Sequence, residues 1–251
     1  MRFADSAAET LALVPSPSRH RAPRSGTTAT GNTTGTTTAI TTVDALDLAF
    51  AGAPCEFVQA DGTSRVMAVH RWRGKASPAD LNLFVDRCHG PTLDVGCGPG
   101  RLTAAVTERG VYALGIDIST EAVRQTRARG AAAVRQDVFA GLPGAMAWQH
   151  VLLADGNIGL RGDPVHLLRR VVELLAADGT VLVEVARPGV GTVHEQVRLR
   201  VGDQISPPFS WATVGVDSIE AVAAEGGLEL AGLHHECGRH VATLRPTEGR
   251  P

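Results

Sequence analysis

The stretch Thr92-Leu93-Asp94-Val95-Gly96-Cys97-Gly98-Pro99-Gly100-Arg101 constrains the fold of this chain more than any other. A short apolar run carrying one acid breaks into glycines at alternate positions. Glycine is needed where backbone turns sharply or lies close to a ligand, and a helix starting straight after the turn offers free N–H groups to that ligand. The pattern predicts a helix over 102–109, ended by Gly110, then a strand over 111–116 closing on Asp117. That acid falls about twenty residues beyond the turn, where a ribose-binding carboxylate is needed. Strand, glycine turn, helix, strand and acid make one parallel unit and imply a nucleoside-containing ligand.

The glycine spacing narrows the ligand. A dinucleotide fingerprint wants its third glycine at position 101, so that the helix N-terminus can approach a pyrophosphate. Position 101 is Arg, and the turn reads G-x-G-x-G. Asp94, two residues before the first glycine, would repel a pyrophosphate and suits a ligand with a cationic amino group.

Strands and helices alternate from there on. Ser119 caps a helix stopped at Gly130, a third strand follows over 132–136, and a fourth over 151–154. Asp163-Pro164 opens a helix with a broad apolar stripe from Leu167 to Leu175, and Asp178-Gly179 ends it before a strand over 180–185. Asp217 caps a last helix running to Gly226, and 228–236 with 240–244 form a closing strand pair. Upstream, Ser77-Pro78-Ala79-Asp80 opens a helix stopped at Gly90-Pro91. Runs at 55–59 and 65–72, joined by Ala60-Asp61-Gly62-Thr63-Ser64, read as a hairpin. The rhythm is that of an α/β protein with a doubly wound, mostly parallel sheet.

LDVGCGPG at 93–100 followed by GIDIS at 115–119 resembles the class I S-adenosylmethionine-dependent methyltransferases, well over about 78–190 and loosely elsewhere. The resemblance implies a seven-stranded Rossmann-like sheet with an antiparallel C-terminal strand. It implies S-adenosyl-L-methionine as cofactor, with Gly96, Gly98 and Gly100 under its methionine part, Asp117 on the ribose hydroxyls and Asp137 at the adenine amino group. Asp94, Cys97, Ile118, Val138 and Asp155 complete the expected cofactor contacts. Asp155-Gly156-Asn157 stands where the family places its substrate-facing loop. It departs from the N-P-P-Y loop of enzymes that methylate amide or base amino groups, which argues against those substrates.

Methyl transfer from a sulfonium is a direct displacement, so alignment and exclusion of water come first and a general base is optional. Candidate bases are His70 and His194, the latter beside Glu195. Asn157 and Trp211 are candidate substrate contacts, with Trp72 as a second aromatic wall. His234 and His235 face opposite sides of a strand, and His235 with Cys237 gives only two ligands, so no metal site is expected. Arg124, Arg127, Arg129 and Arg135 read as a solvated helix and strand-end face.

At 251 residues and 43% hydrophobic content the chain can bury one substantial core. Residues 23–42 hold seventeen Thr, Ser, Gly, Ala or Pro among twenty, so 1–42 is expected to be a disordered tail. The folded part, 43–251, divides into a hairpin or cap (43–77), a cofactor-binding core (78–186), a substrate cover (187–216) and a C-terminal helix with a strand pair (217–251). A net charge of -2 gives no footprint for nucleic acid. Cys55, Cys88, Cys97 and Cys237 form no C-x-x-C pair, and no apolar run reaches membrane-spanning length, so a cytoplasmic protein acting on a small molecule is expected. Oligomeric state is not readable. A non-catalytic cofactor-binding module and an NAD(P)-dependent oxidoreductase are the alternatives, the second opposed by Asp94 and Arg101.

Overall fold

The computed structural model describes residues 38–141 and 148–247. In chain order the elements are Thr38–Ala39 (β1), Thr42–Ala51 (α1), Cys55–Gln59 (β2), Ser64–Val66 (β3), Val69–Arg73 (α2) and Pro78–Leu83 (α3). Then come Thr92–Val95 (β4), Arg101–Glu108 (α4), Ala113–Asp117 (β5), Thr120–Ala128 (α5), Ala132–Arg135 (β6), Trp148–Leu153 (β7) and Pro164–Leu174 (α6). Leu175–Val185 (β8), Thr192–Val201 (β9), Gln204–Ile205 (β10), Phe209–Val214 (β11), Ile219–Glu225 (α7), Leu228–Glu236 (β12) and Arg239–Pro246 (β13) complete them.

Seven strands form the main sheet in the order β12-β13-β8-β7-β4-β5-β6, with β13 antiparallel to β8 and the inner strands β8 to β6 parallel. Its centre is covered on both sides, so β7 and β8 run apolar at consecutive positions, 151–153 and 181–183, rather than alternating. Val151, Leu153, Val181 and Val183 pack against Leu167, Leu168 and Val171 of α6 and Ile219 of α7. The intervening Leu152 and Leu182 pack on the other face with Leu83, Phe84, Leu102 and Val106. Burial at about 25 cal/mol per Å² makes this double layer the main source of stability.

A second sheet caps the first. The hairpin β2–β3 does not stand alone as an N-terminal cap: β2 pairs antiparallel with β9, β9 with β11 and β10, and β10 with β1. The regions expected as separate hairpin and substrate cover are therefore one sheet. Its inner residues Phe57, Val197, Leu199 and Val201 bury themselves with Ala45, Ala49 and Phe50 of α1.

Several boundaries differ from expectation. The second hairpin strand is only Ser64–Val66, because Val69–Arg73 turns into a helix that brings Trp72 edge-on to Phe50 at 6.4 Å. Folded structure starts before Val43: β1 is paired and Thr41 caps α1 by accepting from Asp44 N at 3.1 Å. The rest of the expected tail, 1–37, lies outside the described residues. Strand β8 begins at Leu175, directly after α6. Asp217 does not cap α7, whose N-cap is Ser218; its carboxylate instead accepts from the Gly189 and Gly191 N–H groups. No helix of the described residues is long and apolar enough to cross a membrane.

Candidate active site

Local chemistry builds the floor of the site at the carboxyl ends of β4 and β5. Gly96, Gly98 and Gly100 have φ of 68°, 52° and 82°, a region that L side chains rarely adopt. A Cβ on Gly96 would lie 2.7 Å from Asn157 Nδ2, and one on Gly100 2.4 Å from Thr126 Oγ1. The turn is thus clamped from two sides. Asn157 donates to the Val95 and Gly96 carbonyls at 2.9 and 3.0 Å, and Thr126 donates to the Gly98 carbonyl at 3.0 Å. Cys97 is buried beneath, its thiol raised well above the usual range by burial.

Asp117 ends β5 with its carboxylate held in place. Oδ2 accepts from Gly98 N at 2.9 Å and Oδ1 from Ser119 N at 2.8 Å. Burial raises its pKa against those two bonds. Asp94 is more isolated: it is 2% exposed, accepts from Thr103 Oγ1 at 2.6 Å, and burial pushes it up to about 6. Neither acid has an ion-pair partner among the described residues.

Helix α1, which the sequence did not announce, closes over this floor. Asp47 accepts from Ser119 Oγ and from Glu121 N, and the Phe50 carbonyl accepts from Gln125 Nε2 at 2.7 Å. Between α1, the cap sheet and the glycine turn lies a cavity of about 470 Å³. All the expected cofactor contacts line it except Gly100, whose part is to start α4 in a left-handed conformation: Asp94, Gly96, Cys97, Gly98, Asp117, Ile118, Asp137, Val138 and Asp155. Asn157 and Trp211 line it too. Asp137 is paired with Arg161, whose guanidinium lies 4.5 Å from the centre of the Phe139 ring.

A smaller cavity of about 70 Å³ adjoins the first, sharing Phe57, Met67, Trp72, Asp155 and Trp211 with it. Asp155 stands at the junction with φ of 53°, unusual for a residue other than glycine and a feature that clusters at functional sites. Its carboxylate meets Arg101 at 2.6 Å and Arg71 at 3.1 Å. Arg101 also reaches Asp80 at 3.1 Å, and Arg239 joins Asp80 at 2.6 Å to Glu184 at 2.8 Å. Three carboxylates and three guanidiniums form one network in which Arg101 and Arg239 are each 3% exposed. Burial opposes the charge on Asp155 and Asp80, but the arginines outweigh it and hold both pKa values below the usual carboxylate range. The sequence reading placed Arg101 only as a missing glycine; its partners, distant in sequence, carried no local signal.

The two candidate bases fall elsewhere. His70 is exposed on α2, and His194 on β9 holds the Gly162 carbonyl through Nδ1 at 2.8 Å; neither lines either of these two cavities. Trp211 is a wall residue, packed on Phe57 with ring centres 5.8 Å apart. No group of three or more metal-ligating side chains occurs among the described residues.

The donor set fits the expected cofactor on its own chemistry. Arg101 Nε is buried without a hydrogen-bond partner and Asp94 has no ion pair among the described residues; both line the cavity, which so offers a cationic donor and an anion. That pairing suits the carboxylate and ammonium of an amino acid, and the Asp117 carboxylate on the same cavity suits a diol.

A family model described as a methyltransferase domain matches residues 92–179. No curated protein matches the chain in sequence. Among solved structures, an S-adenosylmethionine-dependent methyltransferase from Bacteroides fragilis, in complex with S-adenosyl-L-homocysteine, is similar with a TM-score of 0.67. It is 21% identical over 81% of this chain and 93% of its own. The CcbJ methyltransferase from Streptomyces caelestis gives 0.54 at 17% identity, over 70% and 92% of the two chains. The 1,6-didemethyltoxoflavin-N1-methyltransferase from Burkholderia thailandensis gives 0.53 at 18%, over 72% and 82%. These likenesses show the fold, a Rossmann-like α/β architecture, and residues 92–179 match a methyltransferase domain.

Proposed function

We propose that this protein transfers a methyl group by direct displacement to oxygen, nitrogen or carbon of a small-molecule acceptor. The observation that carries the proposal is the pair of joined cavities, one walled by the glycine turn and Asp117, the other by cap aromatics, with Asp155 between them. Bound S-adenosylmethionine supplies an electrophilic methyl carbon on a sulfonium.

In this reading the residues of the chain bind, orient and dry the site. Asp117 receives the ribose hydroxyls and Asp137 the adenine amino group, while Asp94 and Arg101 hold the amino-acid end. Asn157 fixes the Gly96 turn, so its part is positioning and its two amide donations are already spent on backbone. Phe50, Trp72 and Trp211 exclude water. With no histidine on either cavity and Asp155 held ionised by two arginines, acceptors that are already nucleophilic at neutral pH are favoured. The buried, unpaired thiols of Cys55, Cys88 and Cys97 support a cytoplasmic setting.

Calorimetric titration with S-adenosylhomocysteine beside NADH, on the wild type and Asp117→Ala, tests the reading. Micromolar binding of the first ligand alone (about -8 kcal/mol), lost in the variant, supports it. NADH binding, or an indifferent variant, refutes it. Release of S-adenosylhomocysteine with added acceptors separates an enzyme from a sensor.

A further inference from the structure

Resting on the methyltransferase reading, we propose that the acceptor is a small planar molecule bearing an anionic group, carboxylate or phosphate, and that Arg187 at the rim of the smaller cavity selects for it. The proposal follows from counting charge around both cavities. Asp137 is matched by Arg161, and the Asp80, Asp155 and Glu184 carboxylates are matched by Arg71, Arg101 and Arg239. Of the carboxylates and guanidiniums that line either cavity, this leaves Asp94, Asp117 and Arg187 without an ion pair among the described residues.

The three leftovers are not randomly placed. Asp94 and Asp117 line the larger cavity only, and their negative charge complements a cofactor that carries a sulfonium and an ammonium. Arg187 lines the smaller cavity only, and it makes no hydrogen bond or ion pair to a described residue. An exposed guanidinium at the mouth of a pocket raises the local concentration of anions and forms two parallel bonds with a carboxylate or phosphate. Behind it, the walls shared with the larger cavity are aromatic: Phe57, Trp72 and Trp211, with Met67 beside them. Flat faces of this kind accept a ring by stacking or edge contact. A volume of about 70 Å³ holds on the order of five waters, which sets the enclosed part of the acceptor at about one ring. A cationic acceptor would meet Arg187 at the rim and find Asp155 and Glu184 already neutralised inside.

The test uses benzoate, benzamide and benzylamine as probes, titrated onto the full chain saturated with S-adenosylhomocysteine. Benzoate is expected to bind about tenfold more tightly than either other probe, the scale of one charge-assisted hydrogen bond. Arg187→Gln and Arg187→Glu remove that preference and Arg187→Lys keeps most of it, with S-adenosylhomocysteine affinity unchanged in all three. Trp211→Ala weakens all probes alike. Equal binding of the three probes, no saturable binding of benzoate, or a preference that survives Arg187→Gln overturns the proposal. Failure of S-adenosylhomocysteine to bind the wild type would instead overturn the methyltransferase reading beneath it.

Discussion

Asp94→Asn separates what a buried acid does for the ligand from what it does to the fold. Asp94 is 2% exposed, and its carboxyl, carried from 3.8 to about 6 by burial, has one hydrogen-bonding side chain beside it, Thr103. A carboxyl whose pKa is higher folded than unfolded makes folding favour the protonated form. Its contribution to stability therefore grows as pH falls from about 6 to about 4, and above 6 it is a standing cost, the reverse of a salt-bridged carboxylate. Moving from 3.8 to about 6 corresponds to about 3 kcal/mol. Asparagine keeps the bond from Thr103 without the charge. The ligand-free variant is expected to be more stable than wild type by about 2 kcal/mol at neutral pH, the gap closing near pH 4. Ligand binding should go the other way: wild-type affinity for S-adenosylhomocysteine rises with pH through about 6, and the variant is about tenfold weaker at neutral pH. Urea denaturation and calorimetry between about pH 4 and pH 8 read both. Any pH dependence common to the two proteins belongs to other acids such as Asp117. A variant less stable than wild type at neutral pH that binds the ligand equally well would refute the reasoning.

Asp117→Ala should weaken S-adenosylhomocysteine binding by about a hundredfold or more, because two hydroxyl partners and the anchor of Gly98 N are lost together. Arg101→Met leaves Asp80 with Arg239 alone and Asp155 with Arg71 alone, so the buried network keeps three carboxylates against two guanidiniums, and it should cost about 3 kcal/mol at neutral pH by urea denaturation. Asp80 and Asp155 have folded pKa values below their unfolded ones, so the deficit should shrink as pH falls below about 4. Gly100→Ala should destabilise by several kcal/mol in the same assay, since a Cβ at φ of 82° would lie 2.4 Å from Thr126 Oγ1. His70→Ala and His194→Ala should each leave the rate of S-adenosylhomocysteine formation within about twofold of wild type; a hundredfold loss would restore a histidine to the chemistry.

What was legible in the sequence is what is local. Turn, helix start and distant acid lie within one run, and their residue types are forced by φ angles and by the bond from Gly98 N to Asp117, so this unit could be read directly. The N-cap signals of Ser77, Ser119 and Asp163 worked for the same reason. The misreadings are long-range. The run over 65–72 imitates a strand, yet β3 stops at Val66, and the helix that follows sets Trp72 on Phe50. Asp217 has a cap's identity and position but a better use on the 189–191 loop. Arg101 looked like a defect in a glycine pattern; Asp155 after β7 and Asp80 in α3 pair with it directly, and Glu184 of β8 joins the network through Arg239. The pairing of β2 with β9 left no trace in either strand.

That pairing has a consequence for how the molecule assembles. Glu56 on β2 and Arg200 on β9 are bonded across 144 residues of sequence, whereas the strands carrying the glycine turn and Asp117 are neighbours in the chain. Closing so long a loop costs entropy, so the unit from the glycine turn to Asp117 is expected to form before the cap sheet does. The same order run backwards makes the cap the first part to loosen. Under the proposed function, cofactor binding would then be expected to survive a loosened cap, and the two halves of the cap wall could be remodelled for a new acceptor without disturbing the floor built by the glycine turn and Asp117.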